Sequence, residues 1–132
     1  MKETIKVAKD FAKVLRGKKR AIVLLNGEMG VGKTTFVCNV VRLLKEDVKP
    51  SSPTFSIINQ YAGNLFHVDL YRVDDICELE NTDFFEIIYG DNIVFIEWAE
   101  KLGKGFAEKL SGVVCINIKV KEGGGRVYDI TN

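Results

Sequence analysis

Proline occurs twice, histidine and tryptophan once each, and cysteine three times in these 132 residues. The odd cysteine count, with Cys38, Cys77 and Cys115 far apart, excludes a metal-knuckle spacing and suits a reducing compartment. The three read as buried or bystander thiols. No apolar run approaches the roughly 20 residues that span a bilayer, and the opening MKETIKVAKDFAKVLR interrupts its apolar residues with charge, unlike a secretion signal. A cytoplasmic location is therefore expected. A net charge of +1 leaves no excess of the kind that grips nucleic acid over a broad surface. The one basic cluster, Lys18-Lys19-Arg20, reads as a solvated turn. Repeats and low-complexity segments are absent, and the length predicts a single domain over residues 1–132 that buries about two-thirds of its unfolded surface.

Glycine is abundant by contrast, and it concentrates in NGEMGVGKTT, residues 26–35, directly after the apolar run AIVLL. A glycine cluster between two well-patterned segments needs a local reason, because glycine has the most backbone freedom to lose on folding. Gly27-x-x-x-x-Gly32-Lys33-Thr34 is the P-loop pattern, in which a strand turns into a helix through a loop whose N–H groups face an anion. Gly27, Gly30 and Gly32 remove the side chains that would block the approach. The first turn of the following helix would offer unpaired N–H groups and the positive end of its dipole to the phosphates. Lys33 would balance β- and γ-phosphate charge, and the Thr34 hydroxyl is placed to ligate Mg²⁺. The context agrees: the run before the loop suits a parallel strand buried on both faces, and Phe36, Val37, Val40, Val41, Leu43 and Leu44 recur with helical spacing after it.

Ile5, Ala8, Phe11, Ala12 and Leu15 predict a first amphipathic helix, capped by Thr4 and ending near Gly17. Residues 49–53, with both prolines, break the helix that follows the loop. TFSIINQY and LFHVDLYR read as strands of a hairpin joined at Ala62-Gly63-Asn64. Residues 73–89 are acidic and irregular, with a short helix carrying Phe84, Phe85, Ile87 and Ile88. NIVFIEW is a second buried central strand, and residues 98–110 read as loop and helix. VVCINIKV, the turn at Gly123 to Gly125 and RVYDI suggest a closing hairpin. The sum is an α/β fold of three αβα layers, P-loop NTPase-like, with a mostly parallel central sheet and antiparallel hairpins at its margins.

Ligands of such sheets bind beyond the carboxyl ends of the strands. Asp69 ends LFHVD and Glu97 ends IVFIE, so each carboxylate lies where an apolar strand gives way to a loop. A hydrolysing P-loop site needs a carboxylate that holds Mg²⁺ and a group that orients the attacking water, and these two are the candidates. SSPTF, with Thr54, is positioned like loops that sense the γ-phosphate, although its composition alone reads as a proline turn. His67 reads as a packed core residue rather than a catalyst. Trp98 lies beside the site or in the core. Arg72 and Arg126 read as surface residues. The absence of an Asn-Lys-x-Asp element argues against a GTPase. The absence of arginine from GDNIVFIEWAEKLGKGF argues against the alternative of a small-molecule or nucleotide kinase with an arginine-rich lid. A nucleotide-dependent binding module that hardly hydrolyses alone is a third reading.

GEMGVGKTT, SSPTF, HVDLYR and IEWAE, in this order and at these separations, resemble the TsaE (YjeE) family of small bacterial P-loop ATPases, from about Thr4 to Arg126. The resemblance implies ATP and Mg²⁺ as cofactors and a role in making threonylcarbamoyladenosine next to the anticodon of tRNA. It also implies TsaD and TsaB as protein partners whose repeated turnover the nucleotide cycle supports, with tRNA reached through that complex. By the same resemblance Thr34 and Glu97 are the Mg²⁺ ligands, Gly30, Val31, Gly32, Lys33, Thr34 and Thr35 form the phosphate cradle, and Thr4 lies near the nucleotide base. Asp69 and Thr54 match positions associated with the nucleotide site. The chain departs from the family pattern in beginning at the first helix and in carrying Ala99 where proline is common.

Overall fold

The two continuous apolar runs lie side by side. In the computed structural model, which describes residues 2–45, 57–103 and 105–131, they form strands β1 (Ala21–Asn26) and β4 (Ile93–Glu97). These pair in parallel from Ala21 opposite Ile93 to Leu25 opposite Glu97. With β2 (Ile58–Ala62), β3 (Leu65–Asp69), β5 (Val113–Val120) and β6 (Arg126–Thr131) they make a sheet of order β2-β3-β4-β1-β5-β6. The inner strands β3, β4, β1 and β5 are mutually parallel. The outer strands β2 and β6 run antiparallel to their neighbours, closing the expected hairpins.

Successive side chains of a strand point to opposite faces, which is why a central strand covered on both sides must be apolar throughout. Ala21, Val23 and Leu25 face helices α1 (Lys2–Leu15) and α2 (Lys33–Leu44) together with Ile93 and Phe95. Ile22 and Leu24 face the other way with Val94 and Ile96, against Leu79, Phe84 and Ile88. These last come from the 3-10 helix Ile76–Asn81 and helix α3 (Phe84–Tyr89). On the first face Phe36 is fully buried between Phe11 and Tyr128, with ring centroids 6.0 and 5.4 Å away. Removing such a ring from a core costs about 3–5 kcal/mol.

Several expectations change in detail. Thr4 does not cap the first helix but lies inside it, 5% exposed, with its hydroxyl bonded to that of Tyr128 at 2.5 Å. Thr4, Ala8, Phe11, Ala12 and Leu15 form the buried stripe, and Ile5 falls outside it at 44% exposure. The helical period places residue 4, not 5, one turn before Ala8. Residues 98–110 hold two short 3-10 helices, Ala99–Leu102 and Ala107–Lys109, rather than an α-helix, because Gly103 and Gly105 punctuate the stretch. Arg20 is not a solvated turn residue: its guanidinium donates to the carbonyls of Ser111 at 2.6 Å and Ile88 at 2.7 Å, fastening the amino end of β1 to the segments beside it. The cysteines are free, but Cys77 is exposed and the other two are only half-buried. Among the described residues no helix is long and apolar enough to cross a membrane. Ser51, Ser52, Pro53 and Thr54 lie outside the described residues.

Candidate nucleotide site

The loop after β1 has the backbone that its glycines predicted. A side chain at Gly27 would bring its first carbon within 2.7 Å of the Ile118 carbonyl oxygen and of Val31, so only glycine lets the loop leave the sheet this closely. Gly32, at φ 104, turns the chain into α2 in the left-handed region that other residues adopt at a cost. No side chain caps the helix there, and the Phe36 N–H is bonded to the Gly32 carbonyl. The N–H groups of Lys33, Thr34 and Thr35 therefore sit in the first turn, where a helix has no internal acceptors to offer them.

A cleft of about 340 Å³ opens above this turn, lined by Gly30, Gly32, Lys33, Thr34, Thr35, Asp69 and Glu97, with Met29, Tyr71 and Trp98 completing the wall. Asp69 and Glu97 are register partners at the ends of adjacent parallel strands. This is where strand-end reasoning put them. Glu97 is 3% exposed, and both of its carboxylate oxygens face the Thr34 hydroxyl, at 2.9 and 3.2 Å. Asp69 is half-buried, and one of its oxygens accepts the N–H of Tyr71 at 3.0 Å.

Lys33 is 5% exposed. Its ammonium donates to the Gly27 carbonyl at 2.8 Å and lies 3.9 Å from the centroid of the Trp98 ring. An ammonium has three donors, so one carbonyl and an aromatic face leave it able to bond an anion. Trp98 itself has φ 62, the one described non-glycine residue at positive φ, and stacks at a tilt against Tyr71 with centroids 5.0 Å apart. The strained turn aims the indole over the lysine. Trp98 thus belongs to the site, which its position after Glu97 left open.

Other expected residues are placed differently. Val31 does not line the cleft: its side chain packs in the core, and its N–H is bonded to the Glu28 carbonyl at 3.2 Å. Thr4 also lies outside the cleft lining. Arg126, expected on the surface, is half-buried and donates from Nε to the Val31 carbonyl at 2.8 Å and from Nη1 to that of Gly124 at 2.9 Å. The last hairpin is thereby tied to the phosphate loop.

His67 is core, as read, yet it is bonded to the site. Fully buried, it meets Glu97 through Nε2 at 2.5 Å and the Tyr61 hydroxyl through Nδ1 at 2.8 Å. The alternation in HVD carried the shared face alone, because His67 and Asp69 must lie on one side of the sheet, and not these partners. Burial, with Cys38 and Glu97 adding to it, raises the Tyr61 phenol far above its ordinary value, so its proton is held. Burial likewise raises the Cys38 thiol, Arg42 opposing and Glu97 reinforcing.

The donor set fits Mg²⁺. This ion is bound by few protein oxygens, completes its shell with water and phosphate, and needs hard ligands. A buried carboxylate facing a hydroxyl at the first turn of the loop helix is such a pair.

Comparison with known proteins agrees with this geometry. The sequence model of the family described as threonylcarbamoyl adenosine biosynthesis protein TsaE matches residues 1–127. The chain is similar to the tRNA threonylcarbamoyladenosine biosynthesis protein TsaE of Aquifex aeolicus, at 40% identity over 75% of this chain and 71% of that one. It is 34% identical to the protein of the same name from Rickettsia bellii, over 98% of this chain and 89% of the relative. The crystal structure of YdiB from Bacillus subtilis superposes with a TM-score of 0.63 at 26% identity, covering 92% of this chain and 72% of that one. The phosphate loop, the strand-end carboxylates and these matches have one common meaning: the chain belongs to the TsaE family.

Proposed function

We propose that the protein binds ATP with Mg²⁺ and hydrolyses it in support of tRNA threonylcarbamoyladenosine biosynthesis, acting on the TsaD and TsaB proteins rather than on tRNA directly. The observation that carries the reading is the Thr34 hydroxyl facing the buried Glu97 carboxylate at 2.9 Å, beside the Lys33 ammonium, above an uncapped helix turn. The family and the names of its relatives supply the tRNA-modification role.

The roles follow from chemistry. The first-turn N–H groups would receive the phosphates, and Lys33 would offer phosphate oxygen a donor beyond the one bonded to the Gly27 carbonyl. Thr34 and Glu97 would hold Mg²⁺, the hydroxyl then directing a lone pair rather than its proton at the metal. The bound ion would neutralise charge that develops on the phosphate oxygens. Asp69 is within the cleft and is assigned to orienting the attacking water. Thr54, in the SSPTF segment of the sequence, is assigned to sensing the γ-phosphate.

Phosphate release by the purified chain tests the reading, measured with and without Mg²⁺ and with and without the partner proteins. Hydrolysis that requires Mg²⁺ and rises with TsaD and TsaB is expected. A chain that neither binds nor hydrolyses ATP overturns the nucleotide role. One that hydrolyses at full rate alone and ignores those partners overturns the place in tRNA modification.

A further inference from the structure

Glu97 stands at the end of a buried relay that the nucleotide site does not by itself require. Strand alternation puts His67, Asp69, Phe95 and Glu97 on the face covered by α2. Phe95 is the register partner of His67, so the imidazole reaches Glu97 diagonally, one step along the neighbouring strand. On the other side of β3 the register of β2 shifts between Gln60 and Ala62, around Tyr61, and the phenol hydroxyl meets His67 Nδ1 at 2.8 Å. Bulges of this kind re-aim side chains. Each ring nitrogen of the chain's one histidine thus has a specific partner, and the line Tyr61–His67–Glu97–Thr34 ends at the phosphate loop.

The direction of the hydrogen bonds is set by chemistry. Glu97, accepting from Thr34, also accepts from His67, which requires a proton on Nε2. In the tautomer that carries its one proton on Nε2, Nδ1 is the acceptor and the Tyr61 O–H donates to it. The phenol has its proton to give, since burial holds it protonated. A core histidine serving packing alone would need only satisfied nitrogens, which a backbone carbonyl and a backbone N–H can supply. Here both are spent on fixing the ring and, through it, one oxygen of a buried carboxylate.

We propose that Tyr61 and His67 are positioning residues for the metal site, Tyr61 selecting the imidazole tautomer and His67 holding Glu97 in the orientation that receives Mg²⁺ with the nucleotide. The proposal rests on the nucleotide reading above. It assigns no role in the reaction to the imidazole itself. Residues that orient a metal ligand from behind change metal affinity by about 10–100-fold when altered.

The test uses the full chain and the variants His67→Leu, His67→Gln and Tyr61→Phe, with thermal melting to verify folding. Affinity for a non-hydrolysable ATP analogue is measured across a Mg²⁺ titration and again in EDTA. His67→Leu is expected to raise the Mg²⁺ concentration for half-maximal tightening by about 10–100-fold while leaving the affinity in EDTA unchanged. His67→Gln, whose amide can still donate to Glu97, should recover part of that loss, and Tyr61→Phe should fall between. In the metal-free parent the ring ¹⁵N shifts should report protonated Nε2 and unprotonated Nδ1, and Tyr61→Phe should disturb that pattern. Should His67→Leu fail to fold, the other two variants carry the test. A folded set with the parent's Mg²⁺ dependence overturns the proposal, as does an equal loss with and without metal, which marks a structural role. A parent whose affinity ignores Mg²⁺ would instead remove the metal–nucleotide reading, and the proposal with it.

Discussion

Lys33 is held by a carbonyl and an aromatic face rather than by a carboxylate, so its removal leaves no buried charge of opposite sign stranded. Lys33→Ala should therefore fold with nearly the parent melting temperature and lose ATP turnover. An active Lys33→Ala protein in a phosphate-release assay would remove the phosphate-loop assignment. The two carboxylates separate by environment. Glu97 is buried against Thr34 and His67, whereas Asp69 lies half-exposed at the cleft rim with its polar contact to a backbone N–H. Glu97→Gln is expected to weaken Mg²⁺-dependent binding most, and Asp69→Asn to slow hydrolysis with a smaller effect on affinity. Metal titrations on the two variants check the ranking, and the opposite order would exchange their roles. At this scale the residue types and their spacing were legible in the sequence. The partners of His67 were not, because a lone histidine in an apolar strand has the same local pattern whether it packs or positions.

The elements are joined by side chains that reach across long sequence separations. Arg126, at the start of β6, grips the Val31 carbonyl of the phosphate loop and the Gly124 carbonyl of its own turn. Hydrogen bonds to a charged donor contribute about 1.5–3 kcal/mol. Arg126→Ala should therefore loosen the loop and weaken ATP binding several-fold without abolishing Mg²⁺ dependence, measured by calorimetric titration. Unchanged affinity would show that the loop holds its shape without the hairpin. Helical and strand periods predicted which segments would form and which faces would be buried. They misassigned Thr4, because a threonine near a helix start is a good cap by type, and its partner Tyr128 comes from the opposite end of the chain. They read residues 98–110 as loop and helix, where the helical part is two short 3-10 segments, Ala99–Leu102 and Ala107–Lys109.

For the molecule as a whole, the cleft is open and no arginine lines it among the described residues. On the proposed function, a cleft with no guanidinium among its described lining residues should bind ATP readily and turn it over slowly. An arginine supplied by a partner is worth about 10³–10⁵ in rate in P-loop enzymes, so even partial completion of the site by a docked protein would dominate the kinetics. Docking of TsaD and TsaB is expected to depend on which nucleotide is bound and to raise phosphate release, with Thr54→Ala blunting both. Pull-down and turnover assays in parallel check this, and docking that is indifferent to the nucleotide would contradict it.

What the sequence determined by itself is local and periodic: the glycines that let backbone approach an anion, the lysine and threonine that follow them, the apolar runs of the central strands and the carboxylates at their ends. These are legible because turn geometry and side-chain period act over a few residues. Tertiary structure decided which strand ends meet. The order β3-β4-β1 brings Asp69, Glu97 and the phosphate loop to one edge, although Thr34 and Glu97 are 63 positions apart. It also decided that Tyr61, His67 and Arg126 connect to that edge through hydrogen bonds, His67 from within the core. Hydrogen-bond partners across a sheet depend on register and on which face each helix covers, and those are settled only when the whole apolar surface is buried together.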